Sequence, residues 1–295
     1  NKFNVVFIPG GLFKSSWIFF KLSTSYNHKV ITFDSGGYSY PFNNFCFSNG
    51  LVTMQDELNK SLDFIYHSEY IKNFILKLSI KEIMRRVKGK DKLLHQNVSI
   101  KKSYNLNEEN YVLILLSVSW DGPSLASHKF HNNLTQWLLD TIKYIRKISD
   151  IKIIIRQHPH ERFSLLSSKN NYAFLNNFSN CLIVTSDEKI STYNLIKKSK
   201  FVIGHNSTSL LESVYLNKKI VSISSLPSIK KLCPDIETLN DYYSYIKELI
   251  FSKENLKPSL LERKRSLFLF FLSQKCPFIY SPIDPISNFY KYISN

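Results

Sequence analysis

From Tyr111 to Ser224 the sequence alternates short β-branched apolar runs with longer segments of helical period. The runs are Tyr111–Val118, Ile151–Arg156, Cys181–Val184, Phe201–Gly204 and Ile220–Ser224. Between them, Phe130–Ile148, Ile190–Lys198 and Ser207–Leu216 read as helices. Strands that are apolar throughout, rather than on alternate residues, are buried on both faces, and the intervening helices supply the cover. The pattern therefore predicts a parallel, doubly wound sheet of the α/β class. In open sheets of this kind the ligand sits at the carboxyl ends of the strands. Asp121, Arg156, His158, His205, Asn206 and Ser207 all fall there.

At 295 residues the chain can hold one large domain or two of ordinary size. A hydrophobic fraction of 43% with 14% aromatic residues is enough for a real core and excludes a disordered chain. Cys46, Cys181, Cys233 and Cys276 are scattered without a CxxC pair, which fits a reducing, cytoplasmic setting. No apolar run approaches the roughly 18 residues needed to span a bilayer. Val5–Ile8 is too short for the apolar part of a signal peptide and runs into the turn PGG. A first residue of Asn rather than Met suggests a trimmed chain.

The net charge of +16, from 39 basic and 23 acidic residues, asks for an anionic partner. The basic residues cluster at Arg85, Arg86, Lys88 and Lys90, at Lys197, Lys198 and Lys200, at Lys230 and Lys231, and at Arg263–Arg265. None belongs to a zinc finger or RNP-type signature, so nucleic acid is not the expected partner. The last cluster adjoins the apolar run Leu267–Leu272. A run apolar on every side suits a core better than an interfacial helix, which keeps a polar face. Contact with an anionic membrane surface is therefore assigned to the basic clusters, and the Phe/Leu run to the core.

In the N-terminal part, Phe3–Pro9 and His28–Phe33 read as strands, the second ending at Asp34 and the glycines of SGGYSY. Asp34 there either caps a plain turn or acts on a ligand that the glycines admit to the backbone. Met54–Tyr66 and Tyr70–Val87 have helical period, whereas 89–110 is polar and aperiodic, a linker. Three parts are thus expected: an N-terminal domain over 1–108, a second domain over 109–255, and a helical segment over 256–295 packing back across both. Helices are predicted at Leu239–Phe251 and Ser259–Ser273.

Two motifs carry chemistry. In GHNSTSLLE, Gly204 ends a strand and Ser207 or Thr208 is placed to cap the next helix. A helix N-terminus favours phosphate, and the hydroxyls of Ser207, Thr208 and Ser209 exceed what a cap needs. Glu212, one turn further, is a candidate acceptor for ribose hydroxyls. In RQHP, Arg156 offers a bidentate cation, His158 a donor to a phosphate oxygen, and Pro159 a fixed turn. His158, His160 and His205 suggest a metal site, but no carboxylate or Cys completes a ligand spacing.

RQHP followed about fifty residues later by NSTSLLE resembles the HP and Ser/Ser motifs of bacterial CMP-sugar glycosyltransferases, the sialyltransferases and the capsule Kdo transferases. VSWDGPSL and IIIRQHPHERF are similar to a capsule-biosynthesis branch of that group. The resemblance implies a GT-B architecture, two Rossmann-like domains facing a cleft, with no metal or other cofactor. It implies that the His of HP and the Ser motif hold the donor phosphate, and that an acidic residue followed by Gly acts on the acceptor hydroxyl. FDSGG offers Asp34 for that role with Ser35 in place of a second acid. SWDG offers Asp121 with Trp120 in place of a first.

The expected function is transfer of a 2-keto acid sugar, of Kdo or sialic-acid type, from a CMP-activated donor to a surface polysaccharide or glycolipid hydroxyl. The enzyme would work in the cytoplasm, peripheral on the inner membrane. Competing readings are a CDP-glycerol-type glycerophosphotransferase, a nucleotide-sugar epimerase, and a basic nucleic-acid or membrane-surface binding protein without catalysis.

Overall fold

The computed structural model describes residues 5–9, 14–39, 42–48, 69–89, 110–118, 130–131, 133–163, 170–205, 207–223, 231–253 and 257–275. They divide between two compact units. One comprises Asn1–Ile71 with Leu269–Asn295, the other Lys72–Phe268. Asp121, Asn206, the expected helix at Met54–Tyr66 and most of the expected linker lie outside the described residues.

The larger unit is built on a five-stranded parallel sheet of β4 (Tyr111–Leu115), β5 (Lys152–Arg156), β6 (Cys181–Val184), β7 (Phe201–Gly204) and β8 (Ile220–Ser222). Its order is β6-β5-β4-β7-β8, so the chain starts in the middle, builds outwards to one side, and crosses back to build the other. The sequence accounts for this arrangement. Every residue of β4 is buried, as a central strand covered on both faces requires, while the edge strand β6 is mostly half-buried.

The helices covering the sheet start where their caps start. The larger unit holds most of α2 (Glu69–Val87), together with α3 (Leu134–Ile148), α4 (Thr192–Lys198), α5 (Thr208–Tyr215) and α6 (Leu239–Phe251). Asn133 caps α3 by accepting from the Gln136 N–H at 2.9 Å. Thr238 and Asp241 form a reciprocal capping box at α6, with bonds of 3.1 and 2.8 Å. The apolar stripe of α3 then buries Trp137, Leu138, Ile142 and Ile145. Where α3 meets α6, the buried Tyr242 hydroxyl accepts from Trp137 Nε1 at 3.1 Å and pairs with Thr141 Oγ1 at 2.9 Å.

The division between units falls inside α2 rather than in the polar stretch 89–110. The reason lies in what α2 buries. Ser79 Oγ donates to the Leu267 carbonyl at 3.0 Å, and Arg86 Nη1 donates to Glu212 Oε1 of α5 at 2.8 Å. Both bonds fasten this helix within the larger unit. In α7 (Leu260–Lys275), residues Leu267–Phe271 are buried, as expected of the Phe/Leu run.

The smaller unit contains β1 (Val5–Pro9), α1 (Lys14–Ser25), β2 (Lys29–Ser39) and β3 (Phe42–Ser48). β1 and β2 are parallel, a β-α-β unit. Helix α1 was not predicted from the sequence. It ends at Asn27, whose φ of 55° is left-handed, with the His28 N–H bonded back to the Ser23 carbonyl at 3.0 Å. The expected turn at Asp34 is also absent. β2 runs on through Asp34 to Ser39 because β3 pairs with it antiparallel, Asp34 opposite Cys46 and Gly36 opposite Asn44. The glycines mark an irregularity between Gly36 and Ser39 instead of the strand's end.

Tyr242→Phe keeps the ring and removes the hydroxyl that satisfies Trp137 Nε1 in a buried site. We expect a loss of about 1–3 kcal/mol of stability, the cost of an orphaned buried donor. Urea denaturation with the tryptophan emission as signal would read it.

Candidate functional site

The register of the sheet sets Val184, Arg156, Leu115, Gly204 and Ser222 in one row across its carboxyl end. Whatever follows those residues is delivered to the same edge. His158 and Pro159 leave β5 there, and Ser207 and Ser209 follow β7. All four line one crevice, together with Leu115 and Leu116 at the end of β4 and Ser191, Thr192 and Tyr193 at the start of α4. The crevice lies where the strand order reverses, between β4 and β7.

Each side of the crevice is held by identifiable bonds. On the β7 side, Ser207 caps α5, its Oγ accepting from the Ser209 N–H at 3.2 Å. That bond uses the oxygen as acceptor and leaves the hydroxyl hydrogen to donate. Gly204 brings α5 close to the strand. A Cβ built there would lie 2.9 Å from Leu210 Cδ2, a side chain with no exposure at all. On the β5 side, His158 is half-buried and opens a short 3-10 turn over Pro159–Phe163, with the Glu161 N–H on its carbonyl at 2.9 Å.

Arg156 lines the crevice, but its guanidinium is directed into the loop that closes the site. Nη1 donates to the Thr185 carbonyl at 2.5 Å, Nη2 to the Ile190 carbonyl at 3.4 Å, and Nε to Thr192 Oγ1 at 3.4 Å. Burial pushes its pKa down to about 10, against the nearby Glu188 carboxylate, so it remains a cation at neutral pH. Gln157, fully buried, grips the same loop by accepting from the Ser186 N–H at 2.9 Å. The first half of RQHP thus holds the 185–192 loop, and the second half faces the crevice.

The other candidates are placed differently. His205 is fully buried with its ring edge-on to Trp137, centroids 5.9 Å apart, and does not line the crevice. Thr208 is exposed at the first position of α5. Glu212, expected at ribose hydroxyls, is 2% exposed and ion-paired to Arg86. Asp121 and Asn206 lie outside the described residues, and Asp34 belongs to the other unit. The sequence reading missed Ser191, Thr192 and Tyr193. Their signal was the N-cap: Ser191 Oγ accepts from the Asn194 N–H at 3.4 Å, so a second helix begins at this edge.

No protein-family model and no curated protein matches the chain. Solved structures do. KpsC of Thermosulfurimonas dismutans, described as a beta Kdo 2,4 transferase, is 9% identical with a TM-score of 0.54, over 89% of this chain and 78% of its own. The beta Kdo 2,7 transferase of KpsC from the same organism is 12% identical over 90% and 75%, with a TM-score of 0.49. S. aureus MnaA bound to UDP is 12% identical over 99% and 76%, with a TM-score of 0.46. At such identities likeness shows the fold. The chain has the mixed α/β, Rossmann-like fold of the Kdo 2,4 transferase. The group reached through RQHP and NSTSLLE is the group to which that structure belongs.

Arg156→Lys keeps the charge but cannot hold two carbonyls and a hydroxyl at once. Losing one such bond to a charged group costs about 1.5–3 kcal/mol, and a urea midpoint lowered accordingly is expected. An unchanged midpoint with weakened nucleotide binding would instead assign the guanidinium to the ligand.

Proposed function

We propose that this chain is a glycosyltransferase that moves a 2-keto acid sugar, Kdo-type ahead of sialic-acid-type, from a CMP-activated donor to a hydroxyl of a surface polysaccharide or glycolipid. The observation that carries the proposal is the convergence of His158, Ser207 and Ser209 on one crevice at the strand-order reversal. That is where an α/β sheet binds a nucleotide.

The chemistry follows from the donor. Its leaving group is a nucleoside monophosphate, which needs its charge offset as the glycosidic bond breaks. His158 and the Ser207 and Ser209 hydroxyls supply donors on the two sides of the crevice, and the positive end of α5 adds its field. Arg156 acts from behind the loop, as a buried cation that shapes the wall and contributes its charge at a distance. Ser191, Thr192 and Tyr193 form that wall and are assigned to the nucleoside. A carboxylate orients or deprotonates the acceptor hydroxyl, and Asp121 or Asp34 is proposed for it. No metal or other cofactor is required by this scheme, in which every charge is met by protein groups. Among the described residues no helix is long and apolar enough to cross a membrane. We place the enzyme in the cytoplasm, peripheral on the inner membrane, where lipid-linked acceptors are met.

Calorimetry tests the donor reading. CMP should bind more tightly than UDP or CDP, and His158→Ala should weaken CMP by about 1.5–3 kcal/mol, the range for a hydrogen bond to a charged group. Preference for CDP would favour glycerophosphate transfer. Equal affinity in a folded His158→Ala protein would take His158 out of the site.

The carboxylate is tested by Asp121→Asn and Asp34→Asn, which remove charge and keep shape. The one that serves as base should lose about 10²–10⁴-fold in turnover with CMP affinity intact. Full activity in both would refute the proposed acceptor activation.

A further inference from the structure

Helix α1 is turned inside out. Its half-buried residues include Ser16, Phe20 and Ser23, whereas Ile18, Phe19 and Leu22 are exposed at 57%, 61% and 49%. Tyr26, just past its end, is exposed at 73%. At about 100° per residue these four fall within one arc roughly 100° wide, its centre about 100° from the serines and about 150° from Phe20. An ordinary surface helix presents the opposite arrangement.

The surrounding charge is one-sided. Residues 1–33 contain Lys2, Lys14, Lys21 and Lys29 and no Asp or Glu; Asp34 is the first acid of the chain. Lys21 and Lys29 are exposed. On the helical wheel Lys21 flanks the apolar arc, and Lys29 begins the strand that follows. Aromatic and aliphatic residues in a stripe flanked by lysines describe a helix that lies in the headgroup region of an anionic bilayer. Twelve residues of helix reach only about 18 Å, too short to span. The area argues the same way. Four side chains exposed at 49–73% cannot by themselves supply the roughly 800 Å² per partner of a stable protein interface.

We propose that the Ile18–Phe19–Leu22–Tyr26 face of α1 is a membrane-docking surface that inserts shallowly into an anionic leaflet, with Lys21 and Lys29 on its headgroups. This rests on the peripheral location proposed above and not on the nucleotide reading, and it moves the apolar part of the contact to α1. Docking there would hold the enzyme at the surface that carries a lipid-linked acceptor.

The test is co-sedimentation of the full chain with vesicles of phosphatidylcholine alone or with phosphatidylglycerol added. The wild type should bind the anionic vesicles and not the neutral ones. The Ile18→Ser, Phe19→Ser, Leu22→Ser triple variant should bind at least tenfold more weakly, with an unchanged circular dichroism spectrum and urea midpoint showing that it is folded. Lys21→Glu, which spares the apolar arc, should bind more weakly and lose part of the salt dependence. Wild-type-like binding by the triple variant would overturn the assignment to α1 while sparing the peripheral location. No binding by the wild type would overturn both, leaving the calorimetry with CMP to stand or fall alone. A dimer in solution that the triple variant converts to monomer would give the face to a second copy and overturn the proposal.

Discussion

The site depends on β4 being hydrogen-bonded on both sides by parallel strands that the chain reaches in opposite directions. β5 is entered after α3 on one side, and β7 after the crossover through α4 on the other. Connections leaving the two neighbours diverge, and a crevice opens between them. Because the register puts Arg156, Leu115 and Gly204 abreast, motif residues distant in sequence emerge side by side. A slip of one residue in either strand would exchange its faces, turning a core strand's carboxyl end away from the crevice. The Tyr111 hydroxyl, the one polar side-chain group of β4, donates to the Leu195 carbonyl at 2.7 Å, and a slip would take it from that partner.

A buried cation completes this frame. Arg156 is 2% exposed, and its partners are mostly backbone oxygens. Desolvating a guanidinium is costly, so such a group persists where it organises something a neutral side chain cannot. What it organises is the 185–192 loop, together with Gln157 on Ser186. Arg86 and Glu212 repeat the device on the other side, linking the end of α2 to α5 in a buried pair. In each case a residue that the sequence offers as a ligand group is committed to positioning the wall, and neighbours with hydroxyl and imidazole groups line the crevice.

The core of the larger unit was legible in the sequence because its strands are uniformly apolar and its helices carry caps. Cys181–Val184, Phe201–Gly204 and Leu239–Phe251 match the expected limits to the residue, and the helix expected from Phe130 begins after the cap at Asn133. His158, Pro159, Ser207 and Ser209 were legible as lining because motif and strand end coincide. What escaped was set by tertiary partners. β2 extends past Asp34 only because β3 pairs with it, and nothing local announces that pairing. Helix α1 puts apolar residues outside, contrary to the rule by which helices are read. The partners of Arg156 and Glu212 were not legible, because residue type gives charge while geometry decides what the charge meets.

Part of the positive charge of the larger unit sits at the amino edge of its sheet. At the amino ends of the strands, helices arrive with bare carbonyls and a negative dipole end. Lysines meet them there. Lys200, just before β7, donates to the Ile250 carbonyl at the end of α6 at 2.6 Å, and Lys218, before β8, to the Ser199 carbonyl that caps α4 at 2.5 Å. Lys219 alongside them pairs with Glu262 at 2.8 Å. These cations belong to the fold, and the +16 overstates what is left for a partner. At the carboxyl ends the polarity is reversed, for there α4 and α5 begin, at Ser191 and Ser207. An edge that presents helix starts, hydroxyls and a buried guanidinium favours a negative ligand, with no lysine among the described residues of its lining. A field favourable to a negative ligand at this edge is therefore a property of the parallel βα repeat itself and does not depend on surface lysines.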